Sequence, residues 1–381
     1  MGGNAFRTLL PDAIFPRMDP GLYAELKELL TSRLQTVYAL VAVPHEAPDK
    51  KDFGDLDFVV CQPFDGLVRE EKLRTALGAQ HIITHGSTSN LAIPMQDKNS
   101  YCQADIQVCD DSDDWQRTAF FLSYGDLGMI LGLLARPAGL SLGRHGLKLA
   151  DPLPTSPPVS LHLSSSMSHI LDFFTLPMDR WQQGFSSEMN IFVWLSSSRL
   201  FNTATLLRCE AVNTSRVKAR DARPMYQRFL EFVRRRETSR ELPSSTSLAS
   251  EAIDFFGQRN LFDVLLHIAI VKKHIRDVFT GTLIQDWTGI RGMPVRFIKD
   301  ETKERLGGED KLSIVVGIPL DSLQSDDIPP EHLTLRAWEY AMARMSADGV
   351  KTMVMEVKEE LDAAGRLQYD WKAAKQKKVE R

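Results

Sequence analysis

The chain has 381 residues, 43% of them apolar and 25% charged, a make-up that excludes a disordered or collagen-like protein. With 46 Lys and Arg against 50 Asp and Glu the formal net charge is −4, so global electrostatics gives nucleic-acid binding no support. No apolar run reaches the roughly 18 residues of a membrane span; even Asp126–Pro137 is broken by glycines and Arg136. The first twenty residues lack the apolar core of a secretory signal, and Phe6 stands where a myristoylation signal needs Ser or Thr. Cys61, Cys102, Cys109 and Cys209 form no CxxC pair and have no zinc-spaced histidine, which points to a reduced, intracellular protein, cytoplasmic or nuclear, without a structural metal.

In chain order, Asp19–Ser32 predicts a helix, with a capping Asp19, Pro20 in the first turn and leucines at helical spacing. Thr36–Val43 reads as a strand ending at Pro44, and Leu56–Cys61, Leu91–Met95 and Ala104–Cys109 read as three more. Gln96–Tyr101 joins the last two as a hairpin loop. Asp114–Leu122 and Leu127–Ala135 are helical in pattern, and Asp110, Asp111, Asp113 and Asp114 fit a loop and helix cap. Gly143–Gly146 reads as a turn. Pro152, Pro154, Pro157 and Pro158 mark a connector after a first domain over 1–150. A helical middle domain over 151–235 follows, with helices over Ser168–Thr175, Phe185–Leu200 and Met225–Arg234. The C-terminal region over 248–381 is mainly helical, through Ser250–Val278 and Glu331–Lys378 with a break near Gly349. Pro294–Lys299 and Lys311–Gly317 are its two strand-like segments. The fold class expected is therefore α+β, a small mixed sheet followed by helical domains.

Charge divides the chain unevenly. Residues 1–150 carry 14 Lys/Arg and 19 Asp/Glu, while residues 199–240 carry 11 Lys/Arg and 4 Asp/Glu. The basic run Arg216, Lys218, Arg220, Arg223, Arg228 and Arg234–Arg236 is either a phosphate-binding patch or the solvated face of a helix.

The most informative stretch is Asp52–Cys61, DFGDLDFVVC. In a strand Leu56, Phe58 and Val60 share an apolar face, while Asp55, Asp57 and Val59 share the other. That places two carboxylates about 6–7 Å apart on an open face. In Cys102–Cys109, Gln103, Asp105 and Gln107 form the polar face, so an adjacent pairing of the two strands brings Asp105 beside Asp55 and Asp57. Like charges that close repel unless a cation joins them. Three carboxylates on neighbouring strands suit two Mg²⁺ (or Mn²⁺) ions, one activating a hydroxyl and one gripping a triphosphate.

Gly54-Asp55-Leu56-Asp57-Phe58-Val59-Val60 followed by Ala104-Asp105-Ile106 resembles the DNA polymerase beta-like nucleotidyltransferase superfamily. Ser123-Tyr124-Gly125-Asp126-Leu127-Gly128 and the helix after it resemble the segment following the third carboxylate in some members. The resemblance covers about 100 residues of the front domain and implies a catalytic domain over 1–150. It implies Asp55, Asp57 and Asp105 as metal-binding catalytic residues, with a nucleoside triphosphate (ATP among them) as donor. The acceptor hydroxyl, on RNA, a protein or a small molecule, is not legible. The superfamily usually places Gly-Ser about ten residues before the first Asp to cradle phosphate, whereas here Val43-Pro44-His45-Glu46 occupies that place and Pro44 has no N–H. Lys50 and Lys51 then become the candidate phosphate contacts, together with Ser123 (otherwise a helix N-cap), Arg220 and Arg223. The competing expectation is an inactive module of the same fold that binds nucleotide or protein. Cys61 and Cys109 follow the two strands and are expected near the site without an activating partner.

Overall fold

Alternation of apolar and polar residues builds the sheet at the front of the protein. The computed structural model describes residues 4–66, 70–212, 221–236, 241–323, 328 and 330–368. Helix α1 (Pro20–Leu34) starts at Asp19, whose carboxylate accepts from the amides of Gly21 and Leu22 at 2.8 and 3.0 Å. Pro20 lies in the first turn, where its missing N–H has no partner to lose. Then come β1 (Tyr38–Ala42), β2 (Asp55–Pro63), α2 (Glu70–Leu77), β3 (His81–His85), β4 (Thr88–Pro94) and β5 (Tyr101–Val108). The five strands form one sheet in the order β1-β2-β5-β4-β3. Strands β2 and β5 are parallel and every other neighbouring pair is antiparallel. The expected hairpin is β4–β5, closed by a loop in which the Met95 amide donates to Ser100 O at 2.8 Å.

The two faces of β2 part company as the alternation predicts. Leu56, Phe58 and Val60 are buried with Leu30 and Leu34 of α1 and Leu73 and Leu77 of α2. Each such side chain is worth roughly 1.5–3 kcal/mol of burial, enough to fix the register against a one-residue slip. The other face is open only at its start. Val59 and Cys61 are covered by Trp115 and Ala119 of α3 (Ser112–Leu122), and the Trp115 indole N–H donates to Val59 O at 2.9 Å. The expectation of an open face thus holds at Asp57 and fails at Val59.

Helix α3 begins at Asp111, which accepts from the Asp114 amide at 2.7 Å, as the acidic cluster predicts. Helix α4 (Leu127–Ala135) is apolar all round and almost wholly buried, as befits a central core helix. A second sheet follows, β6 (Leu140–Gly143), β7 (Gly146–Leu149) and β8 (His162–Ser164), with GRHG as its first turn. Gly146 has φ +105°, and a Cβ there would lie 2.3 Å from Ser164 O, so no other residue fits. Helices α5 (Met167–Phe174), α6 (Met178–Gln183), α7 (Glu188–Ser196), α8 (Thr203–Val212), α9 (Pro224–Arg234) and α10 (Ser245–Phe255) complete this part.

The chain divides into two compact units, one of Met1–Ala150 with His162–Phe256, the other of Asp151–Leu161 with Gly257–Arg381. The helices expected as a separate middle domain over 151–235 therefore share the unit of the five-stranded sheet, and the proline-rich connector belongs to the second unit. That unit holds α11 (Arg259–Val278), α12 (Gly281–Thr288), α13 (Met293–Arg305), the ribbon β9 (Ile314–Val315) and β10 (Ile318–Pro319), α14 (Ala337–Met342) and α15 (Ala347–Ala363).

Three expectations are corrected here. Pro294–Lys299 is helical, because Pro294 sits in the first turn of α13, where proline starts a helix as readily as it ends a strand. The Ser250–Val278 window is two helices, broken at Gly257 with φ +69°. The break expected near Gly349 lies earlier, where Ser346 caps α15 and accepts from the Gly349 amide at 3.1 Å. The last ten residues of the Glu331–Lys378 window lie outside the described residues. The fold is α+β, a mixed sheet followed by many helices. No single described helix is long and apolar enough to cross a membrane; α3 and the segment from α4 to Ala138 reach that length only across a 97° corner.

Candidate active site

The parallel pairing of β2 with β5 builds the site. Asp57 stands opposite Asp105 in register and Asp55 opposite Gln103, so all three carboxylates lie on one face of two adjacent strands. Neighbouring strands are about 4.8 Å apart, which sets the spacing of the Asp57 and Asp105 backbones. Asp55 and Asp57 have no hydrogen-bond or ion-pair partner among the described residues. Asp105 differs, accepting from Asn90 Nδ2 at 2.6 Å and from Gln103 Nε2 at 2.8 and 3.1 Å. Glu46 lies close by, accepting from the Tyr23 hydroxyl at 2.6 Å and from Lys50 Nζ at 2.5 Å.

Crowding of acids leaves its mark on protonation. The Asp57 carboxyl is pushed up to about 7, first by loss of water around it and then by Asp55, Asp105 and Glu46, with Lys50 pulling the other way. Asp57 is nevertheless exposed by surface area, so one side of this crowded carboxyl stays open to solvent and to a ligand. Asp55 is raised by burial and eased by Lys50, and Asp105 is raised by burial against the two amide hydrogen bonds that favour its anion. Tyr23 is also raised, by burial, by its bond to Glu46 and by the charges of Glu46, Asp57 and Asp55. A cluster that resists full ionisation in this way is short of positive charge.

The donor set has the hard-oxygen chemistry that Mg²⁺ or Mn²⁺ takes. Asp55 and Asp57 fit that role directly, being free of other donors. Asp105 fits it as neighbouring negative charge, since its oxygens are engaged by Asn90 and Gln103. Among the described residues no group of three or more His, Cys, Asp or Glu side chains is gathered as a ready metal cage.

The predicted phosphate contacts are mostly engaged elsewhere. Lys50 pairs with Glu46 and lies 4.7 Å from the Phe53 ring centroid. Lys51 is exposed and without a partner among the described residues. Arg220 lies outside the described residues, as do Arg216 and Lys218. Arg223 is committed to Asp126 at 3.0 Å, and Arg228 to Glu188 at 2.6 Å.

Ser123 is neither an N-cap nor a surface contact. It is buried at the C-terminal end of α3, where its hydroxyl donates to Ala119 O at 2.7 Å and accepts from the His45 amide at 3.0 Å. This bond explains the segment that replaces Gly-Ser. Pro44 has no N–H, the His45 N–H is consumed by Ser123, and the His45 carbonyl accepts from the Tyr124 amide at 2.5 Å. The His45 ring stacks on Tyr124 at 5.0 Å and meets the Trp181 edge at 5.6 Å. Those two positions offer no free backbone donor to a phosphate.

Cys61 and Cys109 are buried under Trp115, with the Cys61 thiol raised by burial and the Cys109 thiol pushed up to about 11, chiefly by burial. They are packing residues. Sequence reasoning missed Glu46, Tyr23 and Asn90. Asn90 alone had a signal, because the hairpin register places it opposite Asp105. Two cavities of about 690 and 550 Å³ lie elsewhere in this unit, and neither is lined by the three aspartates. No protein-family model matches the chain, and no curated protein matches it.

Proposed function

We propose that the chain is a metal-dependent nucleotidyltransferase of the polymerase beta-like kind, moving a nucleoside monophosphate from a nucleoside triphosphate to an acceptor hydroxyl. The observation that carries this reading is the register of Asp57 with Asp105, with Asp55 on the same face of the two strands. Asp55 and Asp57 would hold the divalent cation. When bound, that cation supplies neutralisation of the triphosphate and a lowered pKa for the acceptor hydroxyl. Asp105, held by Asn90 and Gln103, would add negative charge beside that pair and would take the proton of the acceptor hydroxyl. The side chain of Lys51 remains available for phosphate, and inside the cell nucleoside triphosphate is abundant.

The test is release of pyrophosphate from each of the four nucleoside triphosphates with Mg²⁺ or Mn²⁺. The reading expects metal-dependent release that Asp57→Asn abolishes while the protein stays folded.

A second reading, an inactive module of the same fold that binds nucleotide or protein, is favoured by two observations. The Asp105 oxygens already hold two amide donors, and the Pro44-His45 backbone offers no phosphate cradle. It expects nucleotide binding that ignores both the metal and Asp57→Asn.

A further inference from the structure

The larger cavity lies apart from the acidic face and has a chemistry of its own. Helix α4, the turn Arg136–Ala138, strand β6 and helix α8 contribute to its walls, which enclose about 690 Å³. Phe121, Met129, Leu140 and Leu142 give it an apolar lining, and Arg136 and Arg208 are its charged residues; no Asp or Glu lines it. A volume of that size is within the range of roughly 300–1,000 Å³ typical of small-molecule sites.

The arginines make the case. Elsewhere in the same unit Arg117, Arg199, Arg223 and Arg228 are each ion-paired. Arg136 and Arg208 are exposed, and their side chains have no hydrogen-bond or ion-pair partner among the described residues. Two unspent guanidinium groups beside an apolar hollow are complementary to a molecule with an anionic head and an apolar body. Guanidinium matches carboxylate and phosphate alike, through paired N–H donors.

We propose that this cavity binds a single-chain amphipathic anion, an alkyl or acyl chain lying against Met129, Leu140 and Leu142 with a carboxylate or phosphate head on Arg136 and Arg208. The site does not depend on the three aspartates, so it stands or falls separately from the transferase reading.

The protein carries its own reporter. Cys209 lines the cavity and is half-buried, whereas Cys61, Cys102 and Cys109 are buried. The experiment follows iodoacetamide alkylation of Cys209 in the full chain by mass spectrometry, with laurate, dodecyl phosphate or uncharged dodecanol below their aggregation limits. The expected result is that laurate, dodecyl phosphate or both slow alkylation, with dodecanol far weaker. Which of the two protects identifies the head group.

Arg136→Gln and Arg208→Gln should each weaken protection about tenfold, the scale of one lost charge-assisted hydrogen bond. Circular dichroism verifies their folding. Asp57→Asn should leave protection intact. Three results would overturn the proposal: no protection by either anion, equal protection by dodecanol, or full protection of the folded double arginine variant.

Discussion

Asp126→Ala is expected to destabilise the protein strongly, although nothing in the residues next to Asp126 announces a structural role. Helix α9 has Arg223 at its N-cap, and that side chain makes no cap, so the first amides of the helix need acceptors from elsewhere. Asp126 supplies one across the fold, accepting from the Tyr226 amide at 3.2 Å while also holding Arg223 Nη1 at 3.0 Å. Its side chain is only 8% exposed, whereas that of Arg223 is 59% exposed. The ion pair is therefore screened and worth at most about 1 kcal/mol. Taking the Asp126 acceptor away from the Tyr226 N–H, in the buried first turn of the helix, costs roughly 1–3 kcal/mol. Asp126→Ala should then cost about 2–4 kcal/mol in urea unfolding, Asp126→Asn less because an acceptor remains, and Arg223→Ala under about 1 kcal/mol. For a unit of this size that corresponds to a fall in Tm of about 5–15 °C for Asp126→Ala. Equal losses for Arg223→Ala and Asp126→Ala would refute the capping argument. So would an unchanged midpoint for Asp126→Ala.

Other consequences follow from the same geometry. Trp115→Phe removes the indole bond to Val59 O and loosens the cover over Cys61, and should cost about 1–3 kcal/mol by chemical denaturation. The pH dependence of stability has a definite sign. The native state keeps a proton on Asp57 up to about pH 7, while the unfolded chain releases it in the ordinary carboxylate range. Between those limits the native state binds more protons, so this group makes stability fall as pH rises. Thermal melts from pH 4 to 8 should show that slope in the wild type, less of it in Asp57→Asn, and less of it in the wild type with millimolar Mg²⁺. A slope unchanged by Asp57→Asn would contradict the assignment.

The sheet was legible because β2 and β5 each declare two faces. Leu56, Phe58 and Val60 must be buried, which leaves Asp55 and Asp57 nowhere else to point, and Ala104 and Ile106 do the same for Asp105. Helix α4 was legible through its unbroken apolar composition, with matching bounds of Leu127–Ala135. What escaped depends on partners distant in the chain. Ser123 reads locally as a cap for the next helix, yet the His45 amide, 78 residues away, claims its hydroxyl. Arg223 and Arg228 read either as part of a phosphate patch or as a solvated helix face until Asp126 and Glu188 are seen to hold them. Pro294 is ambiguous in any local window, since the same fixed φ suits the start of a helix and the edge of a strand. The cover of α3 over Val59 follows from tertiary packing that no alternation pattern contains.

The central claim is that Asp55 and Asp57, seconded by Asp105, grip a divalent cation together with a triphosphate. Electron paramagnetic titration of Mn²⁺ into the full chain, with and without a non-hydrolysable nucleoside triphosphate, addresses it directly. The account predicts bound Mn²⁺ in the wild type, tighter with nucleotide and lost in Asp57→Asn. Free Mn²⁺ throughout, or binding that Asp57→Asn leaves unaltered, would contradict it.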